Sequence, residues 1–332
     1  MRLSIIIPVY GVEKYLSRCL DGVFQINLPE SDYEVICVDD CSRDSSVSIV
    51  EDYQNRHSNL VLLRHESNKR QGGARNTGID YSKGDYIIFV DADDVIPDYD
   101  VAAVLDYMVE NGLELLLGAA EIHKRNGSVL RWGNSPLEES KIMTGPEVFI
   151  KEYIHRIAFG VVWMGIYKTD LVKRAGPFKE NVQYEDADWT LRCAYEAKRL
   201  QFKPILIYNY MENEGSTTTA GSITKLIDRV KQGLRVWEWA QTTLEHHDDV
   251  IVAAEDFCTW NLQCLSSLRF YRHFERKSFY RSFSDEEMYI MKHWKMGGEW
   301  MNMIKHPTAT KAKLFFLSPV YRLGRLIKRI IK

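Results

Sequence analysis

The sequence lacks the features that would place it in a membrane-spanning, secreted or repetitive class of protein. Crossing a bilayer takes about 20 apolar residues, whereas the longest uncharged run in the C-terminal tail is Leu314–Tyr321. The apolar segment Ser4–Tyr10 is too short for the hydrophobic region of a secretory signal peptide. There is also no internal repeat or low-complexity stretch. We therefore expect a protein that stays in the cytoplasm.

Cysteine pairs and a strong net charge are missing as well. The six cysteines form no CxxC pair and have no zinc-ligand spacing, so free thiols in a reducing compartment are the simplest expectation. The formal net charge of −3 gives no reason to expect binding of nucleic acid. With 45% hydrophobic residues in 332, the chain has enough apolar material for one α/β catalytic domain and a smaller appendage.

The first 98 residues alternate between strand and helix patterns. Continuous apolar runs predict strands, and apolar residues spaced three and four apart predict helices between them. The predicted strands are Leu3–Val9, Glu34–Val38, Val61–Arg64 and Tyr86–Val90, and the predicted helices are Leu16–Phe24, Ser45–Arg56 and Ala74–Tyr81. This alternation is typical of an α/β fold with a mostly parallel sheet between two layers of helices.

The pattern changes in the later part of the chain. Residues 113–210 mix both signals, with strands predicted at Leu115–Ala119 and Lys203–Tyr208 and a helix at Asp186–Lys198. After residue 220 only aromatic-rich helices are predicted, at Lys225–Leu244, Val250–His273 and, behind the capping box Ser284–Glu287, at Glu286–Trp294. We predict a catalytic domain at 1–220, with halves 1–98 and 99–220, an α-helical region at 221–310 and a tail at 311–332.

Acidic residues follow two of the predicted strands, and ligands of open α/β sheets bind beyond the carboxyl ends of strands. Asp91-Ala-Asp-Asp94 follows the fourth strand, and its carboxylates suit a hard divalent cation or, alternatively, a solvated acidic turn. Asp39-Asp-Cys-Ser42 follows the second strand. It can accept hydrogen bonds from a base or ribose, or cap the next helix, and both roles are compatible.

Two further motifs have weaker signals. Gly72-Gly-Ala-Arg-Asn76 allows close approach of a diphosphate to the start of a helix, although Gly-Gly pairs are common in loops. Tyr184–Trp189 contains Glu185 and Asp186, and a carboxylate there can act as a general base. The spacing alone favours a simpler interpretation, an acidic first turn that complements the helix dipole.

In their order, these motifs resemble those of glycosyltransferase family 2, a family of inverting enzymes with the GT-A fold. The matching segments are Ile5–Tyr10, Val38–Ser42, Ala74–Gly78, Gly84–Asp94 and Glu185–Asp186. The resemblance is dense over residues 1–98 and looser to residue 220. It implies a Rossmann-like nucleotide-sugar-binding half at 1–98 and an acceptor half at 99–220.

The resemblance also implies donor-side roles for individual residues. Pro8, Val9 and Tyr10 would line the nucleoside pocket, Asp40 would bind the base, and Arg75 would lie near the donor. The acidic motif would contribute Asp91, Ala92 and Asp93, of which Asp93 and Asp91 would bind Mn²⁺ or Mg²⁺. By family habit we expect a UDP-sugar donor.

On the acceptor side, the resemblance makes Asp186 the general base, with Glu185 beside it and Trp163 near the acceptor. The base would take a proton from the acceptor hydroxyl as its oxygen attacks C1, and a single displacement would invert the anomeric centre. The sequence departs from the family in two places: Gly11 stands where Asn is common, and Tyr210–Thr217 lacks the His or Arg that some relatives bring near the phosphates.

The tail, residues 311–332, contains seven basic and no acidic residues. After Pro319, one face of a predicted helix is apolar: Val320, Leu323, Ile327 and Ile330. A basic amphipathic helix suits an anionic membrane surface, although it can also dock on its own protein. Membrane contact would place the protein peripherally on the inner face of the cytoplasmic membrane. There a saccharide or lipid-linked saccharide acceptor would serve bacterial surface polysaccharide or lipopolysaccharide assembly.

Two other function classes remain open. A sugar-nucleotide nucleotidyltransferase would share the sheet and the metal carboxylates, but it would carry a basic, Gly-rich loop where this chain has Ile7–Gly11. A non-catalytic nucleotide-sugar-binding protein would tolerate loss of Asp186.

Overall fold

A computed structural model describes residues 1–132, 138–150, 161–213 and 223–243, together with 281–285, 287, 288 and 291. The chain divides into two compact units, Met1–Ala220 with Trp239–Ala254, and Gly221–Glu238 with Glu255–Lys332. The predicted tail helix and the predicted helix Val250–His273 lie outside the described residues. The predicted division at 1–220, 221–310 and 311–332 stays a prediction.

The first unit is built on a mixed sheet that has eight strands in the described part of the chain. These are β1 Leu3–Val9, β2 Tyr33–Asp39, β3 Leu60–Arg64, β4 Tyr86–Phe89, β5 Leu115–His123, β6 Val129–Arg131, β7 Gly165–Lys168 and β8 Leu200–Met211. Their order is β3-β2-β1-β4-β7-β5-β6, with β8 paired to β5. The four N-terminal strands are parallel, as predicted, whereas β7 is antiparallel to both of its neighbours.

The described part of the chain contains eight α-helices. They are α1 Leu16–Val23, α2 Ser46–Gln54, α3 Arg70–Tyr81, α4 Val101–Glu110, α5 Gly145–Ile150, α6 Thr169–Ala175, α7 Glu185–Glu196 and α8 Ile223–Thr243. A 3-10 turn covers Val162–Met164. The sequence patterns predicted neither the helices α4, α5 and α6 nor the strands β6 and β7. None of the described helices is both long and apolar enough to cross a membrane.

Helix α3 begins four residues before its predicted start, so Gly72 and Gly73 lie inside the helix rather than ahead of it. Glycine has low helix propensity, which is why the pattern placed the start at Ala74. Packing decides otherwise, because a Cβ atom on Gly72 would lie 2.4 Å from the carbonyl oxygen of Lys179. The glycine therefore permits contact between α3 and the segment that precedes α7.

The core of the first unit lies beneath β1 and β2, whose residues are buried at every position. The apolar face predicted for α1 is confirmed, because its four apolar residues have no exposed surface: Leu16, Cys19, Leu20 and Val23. Burial of each large aliphatic side chain contributes about 1.5–3 kcal/mol. The strands are thereby held in fixed register, and their ends are well defined.

Strand β1 lies between β2 and β4, so the chain reverses the direction in which it adds strands at this point. In sheets of this topology, the crevice at the carboxyl ends of the strands is the usual ligand site. Val9 pairs with Asp39, and the amide of Val90 donates to the carbonyl of Ile6. Residues that follow β1, β2 and β4 therefore emerge at the same edge of the sheet.

In the second unit, the predicted capping box is confirmed. The amide of Ser284 donates to Oε2 of Glu287 over 2.7 Å, and the amide of Glu287 donates to Oγ of Ser284 over 3.1 Å. These reciprocal bonds satisfy two amides that a helix start leaves without partners.

Candidate functional site

The end of β1 presents one exposed side chain to the crevice. Pro8 and Val9 are buried within the strand, whereas Tyr10 is 56% exposed. Gly11 follows with φ +65°, and its amide donates to Oγ of Ser42 over 3.2 Å. Glycine and asparagine are the residues that adopt positive φ most readily. The backbone therefore explains why glycine can stand where the family often has asparagine.

Asp40 follows β2 and is held at the start of α3. Its Oδ1 accepts the amide of Lys69 over 2.7 Å and lies 2.8 Å from Nδ1 of His65. The other imidazole nitrogen, Nε2, lies 2.8 Å from Oγ1 of Thr77. The side chain of Asn68 also donates to the carbonyl oxygen of Asp40. Asp40 is 3% exposed, so this network fixes its carboxylate at the edge of the sheet.

The other residues of this motif make local turns. Oδ1 of Asp39 accepts the amide of Ser42 over 3.0 Å, and Oδ1 of Asp44 accepts the amide of Ser46 over 3.1 Å at the start of α2. Asp44 therefore satisfies an amide at the start of α2, as the capping interpretation predicts, whereas Asp39 makes a turn ahead of that helix and Asp40 is directed to α3.

The acidic motif after β4 divides into partly exposed and buried carboxylates. Asp91 and Asp93 are partly exposed, whereas Ala92 between them and Asp94 after them are buried. Asp94 is satisfied internally, since Tyr208 donates to its Oδ2 and the amide of Met211 donates to its Oδ1, each over 2.7 Å. Asp91 and Asp93 are thus left at the crevice.

Asp93 is braced by residues distant in sequence. Arg18 donates to its carbonyl oxygen over 2.7 Å, and the amide group of Asn213 donates to its Oδ2 over 3.2 Å. Burial raises the pKa of Asp93, and the charge of Asp91 raises it further. Two carboxylates that destabilise each other's charge in this way form a favourable environment for a cation.

The donor set of Asp91 and Asp93 fits a hard divalent cation such as Mg²⁺ or Mn²⁺. Carboxylate oxygens are preferred ligands of these ions, which usually keep several waters and take further ligands from substrate phosphates. Among the described residues, no group of three or more His, Cys, Asp or Glu side chains forms a metal cluster. Within the described residues, the candidate site thus offers two carboxylates, Asp91 and Asp93.

Arg75 lies beneath these carboxylates rather than on the exposed surface, with 1% of its area exposed. Its Nη2 donates to Oδ1 of Asp91 over 2.9 Å, and its Nη1 donates to Oε1 of Glu185. Burial by itself lowers the pKa of Arg75, but the charges of Asp91, Glu185 and Asp186 outweigh it and raise that pKa above its ordinary value. The guanidinium is a permanent charge that joins the acidic motif to α7.

Glu185 and Asp186 form the first turn of α7 and differ in their surroundings. Glu185 is buried on Arg75, whereas Asp186 is partly exposed. Burial raises the pKa of Asp186 well above its ordinary value, and the charge of Glu185 adds to the rise while Arg75 opposes it. Of the two, Asp186 has the carboxylate that is available to a substrate.

Several residues of this site had not been predicted from the sequence. His65 directly follows β3, so the rule that polar residues at strand ends face ligands would have found it. Asn213 lies in the segment that lacks the family's basic residue, and it contacts Asp93 instead. Tyr208 is buried in β8 and stacks on Trp163, with 4.4 Å between ring centroids. Trp163, predicted near the acceptor, is 5% exposed and lies in this aromatic cluster.

The strand order, with carboxylates gathered at the carboxyl ends of β2 and β4, is that of an α/β domain of the GT-A type. The sequence model of the family Glycosyl transferase family 2 matches residues 4–173, more than half of the chain. The chain therefore belongs to this family.

Curated relatives match a similar part of the chain. The uncharacterized glycosyltransferase EpsJ of Bacillus subtilis is 31% identical over 220 residues, covering 65% of this chain and 62% of its own length. The poly(ribitol-phosphate) beta-glucosyltransferase of Bacillus spizizenii is 32% identical over 214 residues, covering 64% and 32%. The chain thus spans less than two thirds of the length of these relatives.

Solved structures support the fold. TarS 1–349 of S. aureus in complex with UDP-GlcNAc superposes with a TM-score of 0.62 at 22% identity, covering 87% of this chain and 78% of the other. The mannosyltransferase PcManGT of Pyrobaculum calidifontis, in complex with GDP-Man and Mn²⁺, superposes with a TM-score of 0.53 at 16% identity, covering 94% and 86%. At these identities, the likeness establishes the fold.

Proposed function

We propose that this protein is an inverting glycosyltransferase that moves a sugar from a UDP-sugar to an acceptor hydroxyl. The proposal is carried by one observation: the buried guanidinium of Arg75 binds both Asp91 and Glu185, the neighbour of Asp186. One side chain, that of Arg75, therefore binds both parts of the proposed site. It holds Asp91, which is proposed to bind a cation, and the first turn of α7, which carries Asp186.

On the donor side, the surroundings of each candidate residue are compatible with its proposed role. Tyr10 offers an exposed ring for the base, and Asp40 offers a fixed carboxylate that can accept a base N–H. Asp91 and Asp93 would hold Mn²⁺ or Mg²⁺, which supplies positive charge to the departing diphosphate. Arg75 keeps Asp91 in place from below. Pro8, Val9 and Ala92 support the crevice through the backbone and the core.

On the acceptor side, Asp186 is the proposed general base. A general base works best when its pKa approaches the pH at which it operates, and burial raises the pKa of Asp186 in that direction. Its carboxylate would remove the proton of the acceptor hydroxyl while the oxygen attacks C1 of the sugar. The attack is on the face opposite the diphosphate, so an α-linked donor would give a β-linked product.

The relatives suggest a class of acceptor. One curated relative is named for glucosyl transfer to poly(ribitol phosphate), and TarS has been crystallised with UDP-GlcNAc. We therefore propose a hydroxyl-bearing saccharide, free or lipid-linked, of a bacterial surface polymer. From its sequence, the tail at 311–332 would bring the enzyme to the anionic inner face of the cytoplasmic membrane.

The reaction is tested by measuring UDP release and product formation from UDP-GlcNAc and UDP-glucose with Mn²⁺ and a panel of bacterial surface glycans. We expect transfer to one acceptor class, with loss of about 10²- to 10⁴-fold in kcat for Asp186→Asn. Release of pyrophosphate from UTP and a sugar phosphate would instead identify a nucleotidyltransferase. Donor binding that persists without any turnover would identify a binding protein.

The membrane proposal has its own test. Wild-type protein should co-sediment with vesicles containing anionic lipid, and a variant that lacks residues 312–332 should not. Equal sedimentation of the two proteins would show that the tail is not needed for membrane binding.

A further inference from the structure

Helix α3 holds the segment that leads into α7. The side chain of Asn76 makes two hydrogen bonds with one residue, 102 positions later in the chain: its Nδ2 donates to the carbonyl oxygen of Phe178 over 3.0 Å, and its Oδ1 accepts the amide of Phe178 over 2.8 Å. The carbonyl oxygen of Lys69 accepts the amide of Asn181 over 3.1 Å. Together with the close approach at Gly72, these contacts fix residues 178–181 on α3.

The held segment has a backbone that needs such support. Gly176, Asn181 and Tyr184 all have positive φ, and the last of these immediately precedes α7. A non-glycine residue in this region is strained and persists only where its surroundings determine it. The direction in which α7 starts, and hence the place of Asp186, follows from these turns.

Helix α7 also contacts the start of this segment. The indole Nε1 of Trp189 donates to the carbonyl oxygen of Gly176 over 2.8 Å, and Nη2 of Arg192 donates to the carbonyl oxygen of Pro177 over 2.9 Å. The segment is therefore held between α3 and α7, and Asn76 supplies side-chain hydrogen bonds to it from α3.

Helix α3 also contacts the proposed nucleoside end of the site. The amide of Lys69, directly before the helix, binds Asp40, and Thr77 in the helix binds His65. Arg75, next to Asn76, binds Asp91 and Glu185. One helix thus contacts the proposed base-binding carboxylate, the acidic motif and the segment that positions the proposed catalytic base.

We propose that Asn76 is a positioning residue for Asp186, acting through the backbone of Phe178 and the segment 176–184. The inference rests on the proposed function in that Asp186 is taken as the general base. Misplacement of a reacting group by about 1 Å can cost about 10²-fold in rate without loss of substrate affinity. Asn76 lies outside the donor contacts, so its loss should affect turnover and leave nucleotide binding intact.

The test compares Asn76→Ala with Asp80→Ala, a change at an exposed position of the same helix. The first assay is UDP release from UDP-GlcNAc with Mn²⁺ and water as acceptor, with rates expressed per UDP-binding site. We expect kcat to fall about 10- to 100-fold in Asn76→Ala, with KM within about 2-fold of wild type, and no change in Asp80→Ala. A purely structural role would reduce the number of binding sites and leave the rate per site unchanged.

The second readout needs no activity. Because the amide of Phe178 donates to Asn76, amide hydrogen exchange in residues 176–189 should become faster in folded Asn76→Ala and remain at the wild-type rate in Asp80→Ala. If Asn76→Ala does not fold, Asn76→Asp takes its place, since it keeps the size and the accepting oxygen but sets a carboxylate against the Phe178 carbonyl.

The outcomes separate the two claims. Wild-type protein that binds no UDP and releases none contradicts the proposed function, while the exchange measurement still decides whether Asn76 holds the segment. An active wild type with unchanged kcat per site in Asn76→Ala overturns the positioning role. Unchanged exchange in residues 176–189 also overturns it.

Discussion

Tyr208 donates a hydrogen bond of 2.7 Å to Oδ2 of Asp94, a residue 114 positions earlier in the chain. The same hydroxyl accepts the amide of Asp91 over 3.1 Å. One phenol in β8 therefore ties both ends of the acidic motif to the sheet. The motif is a braced turn, and its two crevice carboxylates, Asp91 and Asp93, take their positions from it.

Replacing Tyr208 with phenylalanine should loosen this turn. It leaves a buried carboxylate oxygen and a backbone amide without their partner, which costs about 1–3 kcal/mol of unfolding free energy. Mn²⁺-dependent binding of UDP should weaken along with stability. The measurement is chemical denaturation together with UDP titration in the presence and absence of Mn²⁺.

The matched control is Tyr53→Phe. Tyr53 lies on α2, and its hydroxyl also donates to a carboxylate, Oδ1 of Asp21 on α1, over 2.5 Å. Neither residue belongs to the acidic motif. We expect a smaller destabilisation, because Asp21 is exposed and water can replace the lost bond, with unchanged UDP affinity. Equal loss of UDP affinity in both variants would show that global stability, rather than the turn, determines binding.

The pH dependence of turnover should report Asp186. A general base acts in its ionised form, so raising its pKa moves the acidic limb of the rate profile upwards in pH. Burial raises the pKa of Asp186 well above its ordinary value. The rate of UDP release should therefore increase with pH through a range above that of an ordinary carboxyl group, which titrates near ~4.

The control for the pH profile is Asp186→Asn, which should lose this limb together with most of kcat. Measuring kcat, rather than kcat/KM, keeps the comparison within the donor complex. A wild-type profile that is flat across the acidic range would be evidence against Asp186 as the base.

His65 should matter for nucleotide affinity although it was not among the predicted site residues. Its Nδ1 lies 2.8 Å from Oδ1 of Asp40, so the imidazole helps to fix the carboxylate that is proposed to bind the base. His65→Ala should thus raise the dissociation constant of UDP, as measured by calorimetry. His57→Ala, which removes an imidazole 2.8 Å from Glu30 on another part of the surface, is expected to have no such effect.

Gly11 should tolerate asparagine better than valine. Its φ of +65° is accessible to asparagine at small cost, while a β-branched residue is strained there whatever the space around it. We expect Gly11→Val to lower the unfolding free energy by roughly 1–2 kcal/mol, on the scale of the left-handed penalty, and Gly11→Asn to lower it by less. Denaturant midpoints of the two variants make the comparison, and equal destabilisation would argue against backbone strain.

The cysteines should differ in reactivity, because the thiolate is the nucleophile. Cys19, Cys37 and Cys193 are buried, and burial raises the pKa of Cys37 to about 12. Cys41 is half-buried, and desolvation together with Asp40 and Asp39 also raises its pKa. Among these four, Cys41 should be alkylated first in the native protein, as followed by peptide mass spectrometry. Labelling of Cys37 at the same rate would contradict the buried position of β2.

Much of the structure of residues 1–98 could be predicted from the sequence, since the strands there are continuous apolar runs. β1 agrees with its predicted bounds, and β2, β3 and β4 agree to within one residue. The start of α3 was misplaced, because low glycine propensity is overridden by contact with Lys179. Local pattern also gave no sign of β7, a short strand that pairs antiparallel between β4 and β5.

In the candidate site, too, some features could be predicted from the sequence and others could not. The acidic residues at strand ends could be predicted because ligands of open α/β sheets bind beyond the carboxyl ends of the strands. The brace from Asn213 to Asp93 and the bond from Asn76 to Phe178 join residues 120 and 102 positions apart. No periodicity links such pairs, so only the folded chain reveals them.

The most direct test of the account is a thermal-shift comparison of wild type and Asp93→Ala with UDP, GDP, CMP and dTDP, each with and without Mn²⁺. A ligand at about 100 times its dissociation constant stabilises the folded state by about 2.7 kcal/mol, which is readily measured. We expect UDP to stabilise the wild-type protein only in the presence of Mn²⁺, and we expect this stabilisation to disappear in Asp93→Ala. Folded wild-type protein that responds to no nucleotide would contradict the donor site on which the account depends.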